Sequence, residues 1–90
     1  MKHLNITIRG KVQGVSFRVT TKAVANQLGI TGFIKNQVDG SVYAEAEGKD
    51  FELDNFVDWC HEGPEGAQVE KVEITQGELQ NYRNFEIVKR

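Results

Sequence analysis

Leu4-Asn5-Ile6-Thr7-Ile8-Arg9-Gly10-Lys11-Val12-Gln13-Gly14-Val15-Ser16-Phe17-Arg18 changes its periodicity twice. Leu4, Ile6 and Ile8 alternate with Asn5, Thr7 and Arg9, the period of a half-buried strand, which we read over residues 3–9. Gly10 and Gly14 then break the alternation and allow backbone conformations that a Cβ would forbid. From Ser16 to Leu28 the spacing is helical, with Phe17, Val24, Ala25 and Leu28 near one face. Ser16 stands where an N-cap is expected, and Gly29 in the usual left-handed stop position. A strand, a glycine-bearing loop and a helix N-terminus in this order present several backbone N–H groups to an anion.

Reading onward, residues 32–37 and 41–47 alternate as two strands joined by Asp39-Gly40. That dipeptide predicts a type I′ turn, which needs positive φ at both central positions. Residues 50–62 give a helix whose Leu53, Phe56, Val57 and Cys60 fall at i, i+3, i+4 and i+7, one buried stripe. Asp50 and Glu52 suit its positive end, His61 its negative end, and Gly63-Pro64 stop it. A further strand follows over residues 69–75, with Val72 and Ile74 on one face, and a short last one over 85–88. The order β-α-β-β-α-β with a small closing strand contains two helices that each need an apolar sheet face. A mainly antiparallel sheet with both helices on one face meets that need: an α+β, ferredoxin-like split βαβ sandwich, in one domain over residues 1–90. Residues 32–37 are expected at an exposed edge of it.

With 39% hydrophobic and 27% charged residues, the 90-residue composition is that of a soluble globular protein. No apolar run approaches the roughly 20 residues that cross a bilayer, and Met1–Asn5 has no apolar stretch of secretory type. The lone cysteine, Cys60, excludes an internal disulfide framework and multi-cysteine metal sites. A cytoplasmic location is the expectation. Net charge is only −2, but residues 1–38 hold six bases and no acid, whereas residues 39–90 hold all thirteen acids. A basic segment in an acidic chain of pI about 5.6 suits a small anionic ligand better than a nucleic-acid backbone.

Two residues stand out. Arg18 falls in the first helical turn, where the helix dipole opposes a cation by about 0.3–1 kcal/mol. A phosphate-like anion held between the loop amides and the guanidinium reverses that penalty. Asn36 sits in a strand, where asparagine is depleted, and by alternation shares a face with Ile34 and Val38. Its amide both donates and accepts, as is needed to hold and aim a water. Other candidates are set aside: Cys60 as a buried small residue, His61 as a helix-end cation, His3 as a functionless residue near the chain start, and Lys35 as a solvated cation facing away from Asn36. Helix and strand packing explains most of Trp59, Phe51, Tyr82 and Tyr43.

Ile8-x-Gly10-x-Val12-Gln13-Gly14-Val15-x-Phe17-Arg18 resembles the first signature of the acylphosphatase family. Gly32-Phe33-Ile34-Lys35-Asn36-x-x-x-Gly40-x-Val42, with Gly48 beyond it, is similar to the second, and Phe85-x-Ile87 to the family's ending. Ile34 replaces a usually smaller residue, and Gln37 stands where relatives often have threonine or another small polar residue. The resemblance implies hydrolysis of a carboxyl-phosphate anhydride without metal or organic cofactor. Arg18 would bind the phosphoryl oxygens, the backbone amides of Gln13, Gly14, Val15, Ser16 and Phe17 would cradle them, and Asn36 would orient the water. The expected partner is a small-molecule acyl phosphate, with no nucleic acid or membrane, and the expected state a monomer. So sparse a site fits the chemistry, because a carboxylate leaves without a strong general acid and phosphoryl transfer asks for positioning and charge stabilisation. An RNA-recognition role on the same fold lacks an aromatic in Leu4–Ile8 on which to stack bases. A non-catalytic anion-binding domain stays open, although it would need Arg18 and not Asn36.

Overall fold

The computed structural model describes residues 1–89. Its elements are β1 (Lys2–Lys11), α1 (Phe17–Leu28), β2 (Thr31–Asn36), β3 (Val42–Gly48), α2 (Asp50–Glu62), β4 (Gln68–Gly77) and β5 (Phe85–Ile87), in the expected order. They form one sheet in the order β4-β1-β3-β2-β5. β1 pairs antiparallel with both neighbours, placing Ile6 between Ala44 and Ile74. β3 pairs antiparallel with β2, and β5 joins β2 in parallel with Ile34 opposite Ile87. The strands that flank each helix in sequence therefore run parallel with another strand between them, the split βαβ arrangement.

Alternation sorts the side chains into layers. Ile6, Ile8, Ile34, Val42, Ala44 and Ala46 point to one face and are wholly buried there. α1 covers β2 and β5 on that face, and α2 covers β1, β3 and β4. Phe17 and Ala25 of α1 join Leu53, Phe56 and Cys60 of α2 in the same core, where Phe56 meets the Phe85 ring at 5.8 Å. Thr21 lies in the buried stripe of α1, and its hydroxyl accepts a 2.8 Å bond from the Trp59 indole N–H. Ile34 is completely buried, so its bulk is absorbed by the core. No helix among the described residues is long and apolar enough to cross a membrane.

Two expectations need correction. β2 is not an edge strand, because β5 pairs along it. The β2–β3 turn is not type I′: φ is positive at Gly40 (93°) but not at Asp39. The Gly40 N–H instead donates to the Gln37 carbonyl at 3.1 Å, and the Gln37 N–H to the Ser41 carbonyl at 2.8 Å. That is a type I turn followed by a left-handed glycine, which adds one residue to the loop. The Asp39 carboxylate accepts from the Ser41 N–H at 3.0 Å and from its hydroxyl at 2.6 Å, a local ring that competes with the tighter turn. Val38 is consequently an exposed turn residue rather than a strand neighbour of Asn36.

His3, near the chain start, is buried on the sheet face opposite the helices. Its Nδ1 bonds Glu47 at 2.7 Å and its Nε2 bonds Asn5 at 2.8 Å. Burial works against the imidazolium, but these acceptors and Glu45 outweigh it and raise the pKa above the ordinary value. β4 and β5 lie at opposite edges, so residues 78–84 must cross the sheet, and Tyr82 packs against His3 and Phe33 on the way.

Gly10 and Gly40 allow a direct comparison of two kinds of glycine requirement. At Gly10 (φ 133°), beside the bulge in the β1–β4 register, a Cβ would lie 2.2 Å from the Gln68 carbonyl oxygen. Around Gly40 nothing lies within 4 Å, so only its φ objects. Urea unfolding should show a loss of about 1–2 kcal/mol for Gly40→Ala and a clearly larger one for Gly10→Ala.

Candidate active site

Phe17 and Arg18 are neighbours with opposite fates. Phe17 is 2% exposed and locks the first turn of α1 into the core, which leaves Arg18 half-buried at the surface beside it. Ile34 does the same for β2, and Asn36, two residues further on the same face, ends the strand near the start of α1. Arg18 and Asn36 meet in a cleft of about 90 Å³ whose other walls are Val12, Gly14, Ser16, Phe17 and Val19. Two adjoining hollows also reach Asn36, one past Lys35, Gln37 and Val38, the other past Arg18, Val88 and Lys89. Lys35 also lies 5.9 Å from the Tyr43 ring centroid on the sheet face away from the helices.

Of the five residues expected to cradle an anion, Gly14, Ser16 and Phe17 line the cleft, whereas Gln13 and Val15 do not. Val15 packs against the core. Gln13 turns its side-chain amide away to donate to the Gln37 and Ser41 carbonyls, both at 2.8 Å. This clamp ties the glycine loop to the hairpin that bears Asn36, and so fixes the distance between the two halves of the site. Nothing in the sequence marks Gln13 for it, because both acceptors are backbone groups more than twenty residues away.

Ser16 holds the N-cap position without capping through its hydroxyl. Its backbone is left-handed (φ 63°, ψ 22°), not the extended conformation that aims a cap hydroxyl at the helix. φ is positive at Gly14 (77°) and at Ser16 but not at Val15 between them. Such alternation turns successive N–H groups toward one point. The first helical bond runs from the Thr20 N–H to the Ser16 carbonyl at 3.1 Å, leaving the Phe17, Arg18 and Val19 amides without an intrahelical acceptor.

The electrostatics match this geometry. α1 has no acidic residue in its first turn, whereas α2 has Asp50 and Glu52. The positive end of α1 and the Arg18 guanidinium therefore add at the cleft. Among the described residues Arg18 has no carboxylate within ion-pair distance, while Arg9 is paired with Glu73 at 3.0 Å and with Asp39 at 3.2 Å. Burial pushes the Cys60 thiol up to about 12, so it stays protonated and unreactive in the core. The His61 ring sits 3.1 Å from the Val57 carbonyl at the end of α2. No group of three His, Cys, Asp or Glu residues among those described is placed to hold a metal ion.

An α+β sandwich whose first helix and second strand bring an arginine and an asparagine into one cleft is a narrow class of protein. The acylphosphatase family model matches residues 4–87. An acylphosphatase of Acaryochloris marina is 42% identical over 86 residues, spanning 96% of this chain and 92% of its own. One from Archaeoglobus fulgidus is 45% identical over 84 residues, spanning 93% and 94%. The crystal structure of acylphosphatase from Bacillus subtilis superposes with a TM-score of 0.95 at 32% identity, covering 98% of this chain and 99% of that one. The chain belongs to the acylphosphatase family.

The turn beside Asn36 gives a pH prediction. Hydrogen bonds from the Ser41 hydroxyl and N–H, with Arg9 adding, hold the Asp39 carboxyl down at about 2. A depressed carboxylate contributes its hold above its ordinary pKa, near 4, and loses it as pH falls through the folded value. The Ser41 amide resonance should therefore titrate with a midpoint at about 2, and Asp39→Asn should abolish that titration.

Proposed function

We propose that Arg18 and Asn36 carry out hydrolysis of the acyl-phosphate anhydride, the acid-anhydride hydrolase activity of the family to which the chain belongs. The observation that carries these roles is their meeting in one cleft, at the positive end of a helix whose first amides point to no helical acceptor. Arg18 and the backbone amides of Gln13, Gly14, Val15, Ser16 and Phe17, of which Gly14, Ser16 and Phe17 line the cleft, bind the three phosphoryl oxygens and stabilise the charge that grows on them. Gln13 serves through its side chain as well, as the brace between loop and hairpin.

Asn36 accepts a hydrogen bond from water at its side-chain oxygen and aims the water lone pair at phosphorus. The P–O bond to the carboxylate breaks as the bond from water forms, and the carboxylate leaves with the bonding pair. The water proton passes to a phosphate oxygen of the substrate, since no histidine or carboxylate among the described residues lines the cleft. We assign the chain a single-domain, monomeric, cytoplasmic role on a small-molecule acyl phosphate, with no metal or cofactor.

Hydrolysis of benzoyl phosphate, followed by ultraviolet absorbance in the presence of chelator, tests this. Wild type should turn over at an undiminished rate. Arg18→Ala should lose about 10³-fold or more in kcat/KM, and Asn36→Ala about 10²–10³-fold in kcat with a smaller change in KM. Far-ultraviolet circular dichroism should be unchanged in both. A wild type no faster than buffer sinks the catalytic reading, and loss of activity in chelator sinks the metal-free one.

A further inference from the structure

The crossing segment 78–84 rests on one carboxylate. Glu47 is 1% exposed on the helix-free face of β3, yet it is ionised by its surroundings: burial opposes the charge, but hydrogen bonds from the Gln80 and Tyr82 N–H groups and from His3 lower its pKa. One oxygen takes the Asn81 and Tyr82 amides at 3.0 and 3.3 Å, and the other takes the Gln80 amide and His3 Nδ1. Three consecutive backbone donors on one buried side chain form a fixed staple. Glu45 seconds it, accepting from the Tyr82 hydroxyl at 2.6 Å and the Tyr43 hydroxyl at 2.7 Å.

What the staple delivers is β5. Just beyond it the Gly32 N–H donates to the Asn84 carbonyl at 2.9 Å, and Phe85–Ile87 pair with Gly32–Ile34. The Val88 N–H then donates to the Ile34 carbonyl at 2.9 Å, two residues before Asn36. α1, which carries Arg18, packs against the same β5, and Val88 and Lys89 wall a hollow with Arg18 and Asn36. β5 thus joins the element of one catalytic residue to that of the other.

We propose that Glu47 is a positioning residue for catalysis: by stapling residues 80–82 it holds β5 against β2, and so fixes Asn36 relative to Arg18 from the opposite face of the sheet. The inference rests on the water-orienting role given to Asn36. Because Asn36 acts on the water and Arg18 on the bound phosphate, slackening β2 affects kcat rather than KM.

Glu47→Gln tests this, since the amide keeps the shape but offers an N–H₂ to donors that need an acceptor. Hydrogen exchange at Gln80, Asn81 and Tyr82 should quicken at least ~10-fold. kcat on benzoyl phosphate should fall about 10-fold with KM changed less than about twofold. In the Asn36→Ala background the same substitution should change kcat by less than about twofold, because the group it positions is gone. Leu53→Ala, which loosens the core on the far layer, should leave kcat unaltered well below its melting temperature. If Glu47→Gln does not fold, Glu47→Asp, which keeps the charge but draws it back from the three amides, carries the same kcat expectation. Faster exchange with wild-type kcat, or an equal kcat loss in both backgrounds, overturns the proposal. An Asn36→Ala variant with wild-type kcat overturns the role of Asn36 instead.

Discussion

A sheet has two faces, and this chain has apolar helices for only one of them. Ile6, Ile8, Ala44 and Ala46, at the centre of the sheet, face α2 and are sealed from water. The period of two then sends His3, Asn5, Tyr43, Glu45 and Glu47 to the other face, where no helix waits. A buried polar layer persists only when its members satisfy one another or find backbone partners. Here they do both, and the crossing segment that satisfies them also brings the last strand to the right edge.

The site inherits its geometry from the same sandwich. Phe17 and Ile34 are core residues before anything else, and each has a polar neighbour in the cleft, one residue on in the helix and two residues on in the strand. Those offsets are the helical and extended repeats at work: a helix turns about 100° per residue, so Arg18 leaves the core at once, whereas a strand returns to the same face after two. The Gln13 clamp then sets loop and hairpin at a fixed separation. Catalysis by positioning needs such rigidity more than it needs reactive groups.

Local patterns were legible in the sequence and remote partners were not. The stripe Leu53, Phe56, Cys60 and the alternation Val42, Ala44, Ala46 set helix, strand and burial, because the period itself reports which side is dry. Arg18 and Asn36 were visible as residues out of keeping with their elements, and the family resemblance placed them together. The roles of Gln13, His3 and Glu47 were hidden, since each depends on backbone or side-chain partners brought near only by the sheet order. The turn at Asp39-Gly40 failed for a subtler reason. The dipeptide favours a tight turn, but Ser41 gives Asp39 a competing set of hydrogen bonds, and a side-chain ring outweighed the intrinsic preference.

β5 pairs with residues some fifty positions earlier, and the strap that carries it crosses the helix-free face of the sheet. β1 and β4 close a longer loop still, from Lys11 with Gln68 to His3 with Gly77, so both edge strands are held by contacts whose loop entropy is lost before they stabilise anything. Take away the strap and β2 would be bare along one edge, while Glu45 and Glu47 would lose the donors that satisfy them. Only the β2–β3 hairpin is local in sequence, so the folding of this sheet waits on long-range closure at every other seam.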